Sequence, residues 1–327
     1  MTVTTKIIQW LAQARSASLF VTIIIFGLIL TLKYGQSFAN FSNLAAVMLG
    51  LSLVGILTVG MTMLLVGGSF DLSVGSSVAM SGVVAAFFVK TMGLPIIIGV
   101  LGGIGVGAMG GVLNGLIIVK LGVNPMITTL ATMGIYRGIA ILIAGAGIPF
   151  MPKLFTMLGQ TVFLGFQIPV WVMLLVVLIM SFCMSKIRFF RQYYFMGGNE
   201  KAAFLSGINI NKLKIVGYTL IGALAGVAGV LQVARLGTAM STIGNGAELQ
   251  AITAALIGGA SLSGGRGTIL GAILGAIFMA MVSNAMIIAG ISVYWQSIVI
   301  GCILIIAVYS DVVIKNFVTT SNLTQQE

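Results

Sequence analysis

The chain has 327 residues, 59% hydrophobic and 6% charged, with 16 Lys and Arg against five Asp and Glu. A soluble domain carries about a quarter charged residues, so this composition excludes a soluble globular protein and points to a polytopic membrane protein. The net charge of +11 does not signal a nucleic-acid binder: the basic residues mostly end apolar runs, and no basic stripe or interleaved aromatic platform is present.

The opening segment 1–16, "MTVTTKIIQWLAQARS", reads as an amphipathic stretch lying on the membrane with Trp10 at headgroup level. Lys6 and Arg15 flank it, and no small-residue cleavage site follows a proper apolar core, so it is not read as a signal peptide. A spanning helix needs about 20 mainly apolar residues. Ten segments qualify, at 17–34, 43–67, 74–91, 95–119, 125–145, 168–186, 214–234, 247–262, 268–290 and 293–314. The third and eighth are short and rich in Gly, Ser and Ala, which suits a broken or re-entrant helix. The expected fold is therefore all-α, a transmembrane domain over 17–314 with about ten helices and a tail at 315–327. The 44 glycines suit such a bundle, because small residues let helix backbones approach closely in lipid.

Charge sets the orientation. With the N-terminus inside, the inner segments hold Lys6, Arg15, Lys120, Lys186, Arg188, Arg191, Lys201, Lys212, Lys214, Arg266 and Lys315. The outer segments hold only Lys33, Lys90, Lys153 and Arg235. This bias predicts cytoplasmic termini and a cytoplasmic loop at 187–213. The longest outer loop, 146–167, is itself fairly apolar, and Pro149 and Pro152 argue against a helix through its first half. Two stretches echo one another: "LVGGSFDLSVGSSVAMSG" (65–82) and "LIGGASLSGGRGTILGAILG" (256–275) share a paired glycine, a Leu-Ser and a Gly-rich helix start. Transporters often carry such duplications.

Few residues offer chemistry. Histidine is absent, and the two cysteines, Cys183 and Cys302, lie in apolar runs, so neither a disulfide framework nor a zinc site is expected. No Ser–Lys pair, aspartate pair or His-Glu motif stands at workable spacing, which argues against an intramembrane enzyme. A charge at mid-membrane costs about 2.5–3.5 kcal/mol on insertion scales, so Asp71 should face protein, water or a partner. Capping the helix that begins near Val74 is the commoner use of such an Asp; a transport role is the other reading. Arg137 lies inside an apolar run. Either it snorkels from the outer end of the fifth span, or it faces a pathway or a second subunit, paired with Glu248. Arg266 enters the ninth span from a Gly-rich turn, where it can meet headgroups or helix-end carbonyls. Asn114, Asn124, Asn284, Gln250 and Gln296 can serve hydroxyls in a passage, but hydrogen bonds between helices are their commoner use. Tyr294 and Trp295 read as an outer interfacial belt.

The loop "RFFRQYYFMGGNEKAAFLSGINI" (188–210) gathers charge that the rest of the chain avoids. Asn199 is a good N-cap, Glu200 follows at the positive end of the helix dipole, and Gly207 is a natural left-handed stop. Between them a helix of about two turns offers Ala202, Ala203, Phe204 and Leu205. Six basic residues from Lys186 to Lys214 could also simply anchor the loop to anionic headgroups. A capped helix goes beyond what a return loop needs and suits docking on a soluble partner.

"GGNEKAAFLSGINI", with Lys212 and Lys214 after it, resembles the cytoplasmic loop of the ribose/xylose/arabinose/galactoside class of ABC-transporter permeases. "GGSFDLSVGS" (67–76), "NPMITTLATMGIYRGIA" (124–140) and "AITAALIGGASLSGGRGTILGAILGA" (251–276) are similar to further segments of that family, in the expected order. The resemblance implies the permease subunit of a binding-protein-dependent importer of a monosaccharide or similar small polar solute, in a bacterial inner or cell membrane. It implies two ATP-binding subunits on the cytoplasmic side that hold ATP and Mg, a periplasmic or lipid-anchored solute-binding protein, and a second permease, identical or paralogous. It also implies that the loop couples to the ATPase, carried here by Arg191, Gly197, Gly198, Asn199, Glu200, Ala202, Ala203, Leu205 and Gly207. Asp71, Asn114, Arg137, Glu248, Arg266 and Asn284 are the pathway or structural candidates. The chain itself is not expected to be an enzyme or to hold a cofactor: "GGASLSGGRGT" lacks the lysine of a phosphate-binding loop. The competing class is an ion-coupled secondary transporter, which needs buried ionisable groups; only Asp71, Arg137 and Glu248 qualify.

Overall fold

The computed structural model describes residues 15–323, with side chains from 17 to 310 except 293. The expected amphipathic segment, Trp10 included, lies outside the described residues apart from its last two, which begin the first helix. Among the described residues, eight helices are long and apolar enough to cross a membrane. They are α1 (Arg15–Tyr34), α2 (Phe41–Val66), α3 (Val74–Ala86, prolonged by a π-turn at Phe87–Thr91), α4 (Ile96–Lys120), α5 (Pro125–Ala144), α7 (Ile168–Lys186), α10 (Ile210–Leu236) and α12 (Ile269–Ile288). Helix α6 (Lys153–Gln160) lies in the loop before α7, and α8 (Arg188–Gly198) and α9 (Glu200–Leu205) lie in the loop after it. Helices α11 (Ala247–Ile257) and α13 (Val293–Leu323) complete the order.

All ten expected segments are helical, with two corrections. The eighth, expected at 247–262, is an 11-residue helix that stops at Ile257, where Gly258 and Gly259 end it; residues 237–246 lead into it without helix. The last helix runs on to Leu323, past the boundary expected at 314.

Local chemistry explains most helix starts. Asn40 accepts from the Asn43 N–H at 2.7 Å to open α2, Asn209 accepts from Lys212 at 2.9 Å to open α10, and Thr268 accepts from Gly271 at 3.0 Å to open α12. Proline stands within one residue of the start of α4, α5, α6 and α7, where a missing N–H costs nothing.

Helix α10 is the spine of the bundle and packs most closely on α4. Gly103, Gly107, Gly111 and Gly115 on α4 meet Tyr218, Gly222 and Gly226 on α10 backbone to backbone: a Cβ on Gly226 would stand 2.7 Å from Ile104 Cα, and one on Gly115 2.8 Å from Ile215 Cα. The small-residue spacing thus brings antiparallel backbones into contact. Every residue of α3 from Val74 to Ala86 is buried, so α3 runs inside the bundle and does not meet lipid. Apolar side chains are left on the outside of the bundle, Leu32, Leu142 and Ile305 among them.

The two echoing stretches end their helices with the same turn. Ser69 N–H donates to Leu64 O and Gly68 N–H to Leu65 O, both at 2.9 Å. Ala260 N–H donates to Ala255 O at 2.9 Å and Gly259 N–H to Leu256 O at 3.0 Å. Gly68 and Gly259 take positive φ, +77° and +95°, the left-handed stop that glycine adopts without steric cost.

At the opposite end of the bundle, the loop 145–167 is non-helical up to Pro152, continues as α6, and makes a hairpin pairing Val162–Phe163 with Phe166–Gln167. It clasps the segment after α10: Ile148 and Ala239 exchange two backbone hydrogen bonds of 2.9 Å, and Met151 N–H donates to Gly237 O at 3.0 Å.

Candidate functional site

Three groupings collect the polar residues singled out in the sequence. The first is the loop from α7 to α10. Asn199 Oδ1 accepts from Ala202 N–H at 3.0 Å and caps α9. Gly207, at φ +81°, ends it, with Ile208 N–H donating to Ala203 O at 3.1 Å. Glu200 pairs with Lys214 at 2.7 Å and so ties α9 to the foot of α10. Leu205 and Phe204 stand 84% and 68% exposed. Ala203 differs from the expectation: it is 4% exposed and turned inward, since a six-residue helix has one inner face and Ala203 occupies it. Ala202, Gly198, Arg191 and Gly207 are exposed.

The sequence reading also missed α8. Its exposed side carries Arg188, Arg191 and Phe195, while Tyr193 and Met196 are buried. The Tyr193 hydroxyl donates to Leu213 O at 2.7 Å and that of Tyr194 to Gly267 O at 2.9 Å. Burial raises both phenols above their ordinary value, so both remain donors throughout the physiological range.

Helix α8 ends in a junction of three glycine pairs. Gly197 lies against Val66 O, which a Cβ there would overlap, and 2.6 Å would separate that Cβ from Gly265 N. A Cβ on Gly264 would stand 2.6 Å from Gly197 O and 2.9 Å from Gly68 Cα. Gly265 N–H donates to Val66 O at 2.8 Å. The turn after α2, the turn after α11 and the end of α8 therefore touch through bare backbone. The only signal for this in the sequence is the doublet Gly-Gly, present at 67–68, 197–198 and 264–265.

The second grouping surrounds Asp71, which is 2% exposed. Its Oδ1 accepts from the Ser73 N–H and hydroxyl at 2.7 and 2.6 Å. Asn114 Nδ2 donates to Ser73 Oγ at 2.9 Å and lies 3.4 Å from Asp71 Oδ2. Tyr136 donates to Gly110 O at 2.8 Å and lies 3.2 Å from Asn114 Oδ1. Tyr218 joins Ser69 Oγ by a short hydrogen bond and Phe70 O at 3.1 Å. The spans read from the sequence place Asp71 at a cytoplasmic turn, with capping α3 as its commoner use and a transport role as the other reading. It instead holds Ser73, one residue before the helix, and the cluster around it is buried among α3, α4, α5 and α10. Asn114 stands six residues before the end of α4, about 9 Å along the helix, so this cluster lies within the bundle. A buried carboxylate is tolerated because its oxygens are taken by donors.

The third grouping is a concavity of about 410 Å³ between α5, the start of α3 and the non-helical segment before α11. Its polar lining is Ser76, Arg137, Ser241, Thr242, Asn245 and Glu248; Met133, Gly134 and Ile141 supply the rest. Arg137 does not snorkel outward. Its Nη1 donates to Ser241 O, in a short bond, and to Ile243 O at 3.0 Å. Arg137 is 12 residues from the start of α5, about 18 Å along it, and seven from its end. Glu248 occupies the first turn of α11, where free N–H groups favour a carboxylate, and its Oε2 lies against Gly75. The concavity opens to the chain's surface beside Gly134, Ile141, Thr242 and Asn245, all exposed. Sequence reading named Arg137 and Glu248 but missed Ser241, Thr242 and Asn245, whose run "STIGNG" has the composition of an ordinary turn.

The remaining candidates stand apart. Asn284 and Asn43 exchange amide hydrogen bonds of 2.8 and 3.1 Å, joining α12 to α2. Asn124 caps α5 through Met126 N–H at 2.9 Å. Arg266 is exposed in the turn before α12, with its carbonyl accepting from Ser261 N–H at 3.1 Å.

Comparison of the sequence with known proteins gives the family. The model of a family described as "Branched-chain amino acid transport system / permease component" matches residues 43–308. The chain belongs to this family of permease components. Among its relatives is the ribose import permease protein RbsC of Escherichia coli (strain K12), 36% identical over 307 residues, covering 92% of this chain and 94% of that protein. RbsC of Bacillus subtilis (strain 168) is 36% identical over 90% of each chain. The L-arabinose ABC transporter permease protein AraH of Azospirillum brasilense is 33% identical over 92% of this chain and 88% of its own. No solved structure matches. The sugar-permease class to which the motifs pointed is thus the class of these relatives, and the protein is a multi-pass membrane permease.

Proposed function

We propose that this permease is the membrane subunit of a binding-protein-dependent ABC importer that passes a monosaccharide or similar small polar solute into the cytoplasm. The family description names branched-chain amino acids, whereas relatives matching about nine-tenths of the chain or more are named for ribose and arabinose; the second is the more specific likeness. The loop with α8 and α9 lies in the cytoplasm, as do both termini, because the basic residues concentrate on that side. ATP and Mg are held by two partner subunits, and a periplasmic or lipid-anchored protein presents the solute. A second permease, identical or paralogous, completes the passage.

The observation that carries this reading is the form of α9. It is capped at both ends, presents Phe204 and Leu205 outward, and connects through α8 to two turns that join bundle helices. An apolar stub on an inner face suits the groove of a soluble subunit. A loop that merely returned the chain would not need the end of α8 to touch Val66 and Gly265. Pushing or pulling α8 must move both turns, since backbone in contact with backbone has no side chain to absorb the shift.

The test is solute uptake into vesicles containing the permease, its ATPase and its binding protein. Vanadate-sensitive, ATP-dependent uptake of D-ribose or L-arabinose that is lost in Leu205→Asp, with the variant still inserted, is the expected result. Uptake driven by a proton gradient without the ATPase would favour ion-coupled transport and overturn the proposal.

A further inference from the structure

The concavity at Arg137 poses a chemical problem that its surroundings do not solve. It opens on the surface of the chain, well within the length of α5. A surface at that depth carrying a guanidinium and a carboxylate does not face hydrocarbon, where each charge costs about 2.5–3.5 kcal/mol. Arg137 has five N–H donors, and the two carbonyl bonds both use Nη1. Nε and Nη2 have no hydrogen-bond partner among the described residues. Thr242 and Asn245 add exposed hydroxyl and amide groups, and Met133 and Ile141 give an apolar wall.

The structure assigns this concavity as a solute-contact site on the passage, for an uncharged polyhydroxy compound of monosaccharide size. The assignment rests on the importer reading. Hydroxyl groups both donate and accept, so one ring can take hydrogen bonds from Nε and Nη2 of Arg137 and donate to the Glu248 carboxylate. The C–H face of the ring lies on Met133 and Ile141. The volume is at the small end of ligand sites, which run from about 300 to 1,000 Å³. Glu248 and Arg137 offset each other's charge, which suits a neutral solute over an anion or a cation. Arg137 also fixes the non-helical segment from Ser241 to Ile243, so the group that meets the solute holds one wall of the site in place.

The test is thiol labelling of the complete transporter in cells. The chain has two cysteines, Cys183 and Cys302. With both changed to serine, Asn245→Cys and Thr242→Cys report on the concavity, and Ile135→Cys on an exposed apolar position of α5, the helix that carries Arg137. A charged, membrane-impermeant thiol reagent should label Asn245→Cys and Thr242→Cys at least about tenfold faster than Ile135→Cys, because only a water-exposed thiol ionises. Labelling should abolish uptake, and saturating D-ribose should slow it. Failure of both concavity thiols to react would overturn the assignment, with lipid or a second permease copy as the cover. Reaction without any loss of uptake, or without slowing by D-ribose, would overturn it too. Uptake by the cysteine-free parent is read separately. Its absence would strike the importer reading, while the labelling pattern still decides whether the concavity meets water.

Discussion

The turn from α2 into α3 and the turn from α11 into α12 begin alike and end differently. Both stop a helix at a Gly-Gly pair with the same two hydrogen bonds. After that, the first turn is pinned. Asp71, Ser73, Asn114, Tyr136 and Tyr218 hold residues 69–73 to three other helices. The second turn has no buried charge. It carries three further glycines with positive φ, Gly264, Gly265 and Gly267, and an exposed Arg266. It is held instead by backbone contact with Gly197 and by the hydroxyl of Tyr194. One turn is fixed by side-chain hydrogen bonds to three helices, and the other by backbone contact with the end of α8. The residues that come after the shared glycines thus attach two similar stretches to the bundle in different ways.

The contrast can be broken by substitutions, taken from the largest effect to the smallest. Gly264→Ala should abolish uptake, because its φ is +84° and its Cβ would press on Gly197 and Gly68 backbone. Gly68→Ala has a similar φ of +77°, with its nearest neighbour at 3.7 Å, and should keep measurable uptake with only the left-handed cost of about 1–2 kcal/mol. Equal loss in both would erase the distinction between the turns. Asp71→Ala should lower unfolding stability in detergent by about 1–3 kcal/mol by leaving the N–H and hydroxyl of Ser73 without their acceptor. Arg266→Ala, at the matching region of the second turn, should change it by less than about 0.5 kcal/mol. Asn199→Ala should cost about 1 kcal/mol, localised to α9 and visible as faster amide exchange there. Glu200→Gln should have the smallest effect, below about 1 kcal/mol and reduced further by salt, because its partner pair with Lys214 is solvent-exposed.

The same contacts fix a pH expectation. The folded state raises the phenol values of Tyr193 and Tyr194. Their contribution is therefore complete below the ordinary phenol value of about 10 and is lost only as pH rises beyond it. Uptake should show no dependence on these groups between about pH 6 and 8, as a pH profile of Tyr194→Phe against the parent would reveal.

Much of this was legible in the residues. Long apolar runs gave the helices, and Asn199 with Gly207 gave α9 its two ends, because capping is a local matter of side-chain and backbone donors. The eighth segment reads as short from its length and its Gly, Ser and Ala content. What stayed hidden depends on contacts between distant segments. Nothing near Ala203 says which side of α9 faces the bundle. Nothing near Asp71 says that Asn114 and Tyr136 will close over it. Helix α8 was missed because "RFFRQYYFMGG" is amphipathic without being apolar, so a search for spans passes over it. The role of "STIGNG" was hidden because a turn looks the same in sequence whether it lies in water or within a bundle.

The most direct measurement is the ratio of solute imported to ATP hydrolysed by the reconstituted transporter carrying Gly197→Ala, beside the parent and Gly67→Ala. At Gly67 the added methyl meets mainly side chains, Met196 Cε at 2.7 Å and Tyr193 Cδ1 at 3.0 Å, so a ratio near the parental one is expected. At Gly197 it meets backbone, and hydrolysis should continue while the ratio falls toward zero. A parental ratio in Gly197→Ala would contradict transmission through the glycine junction.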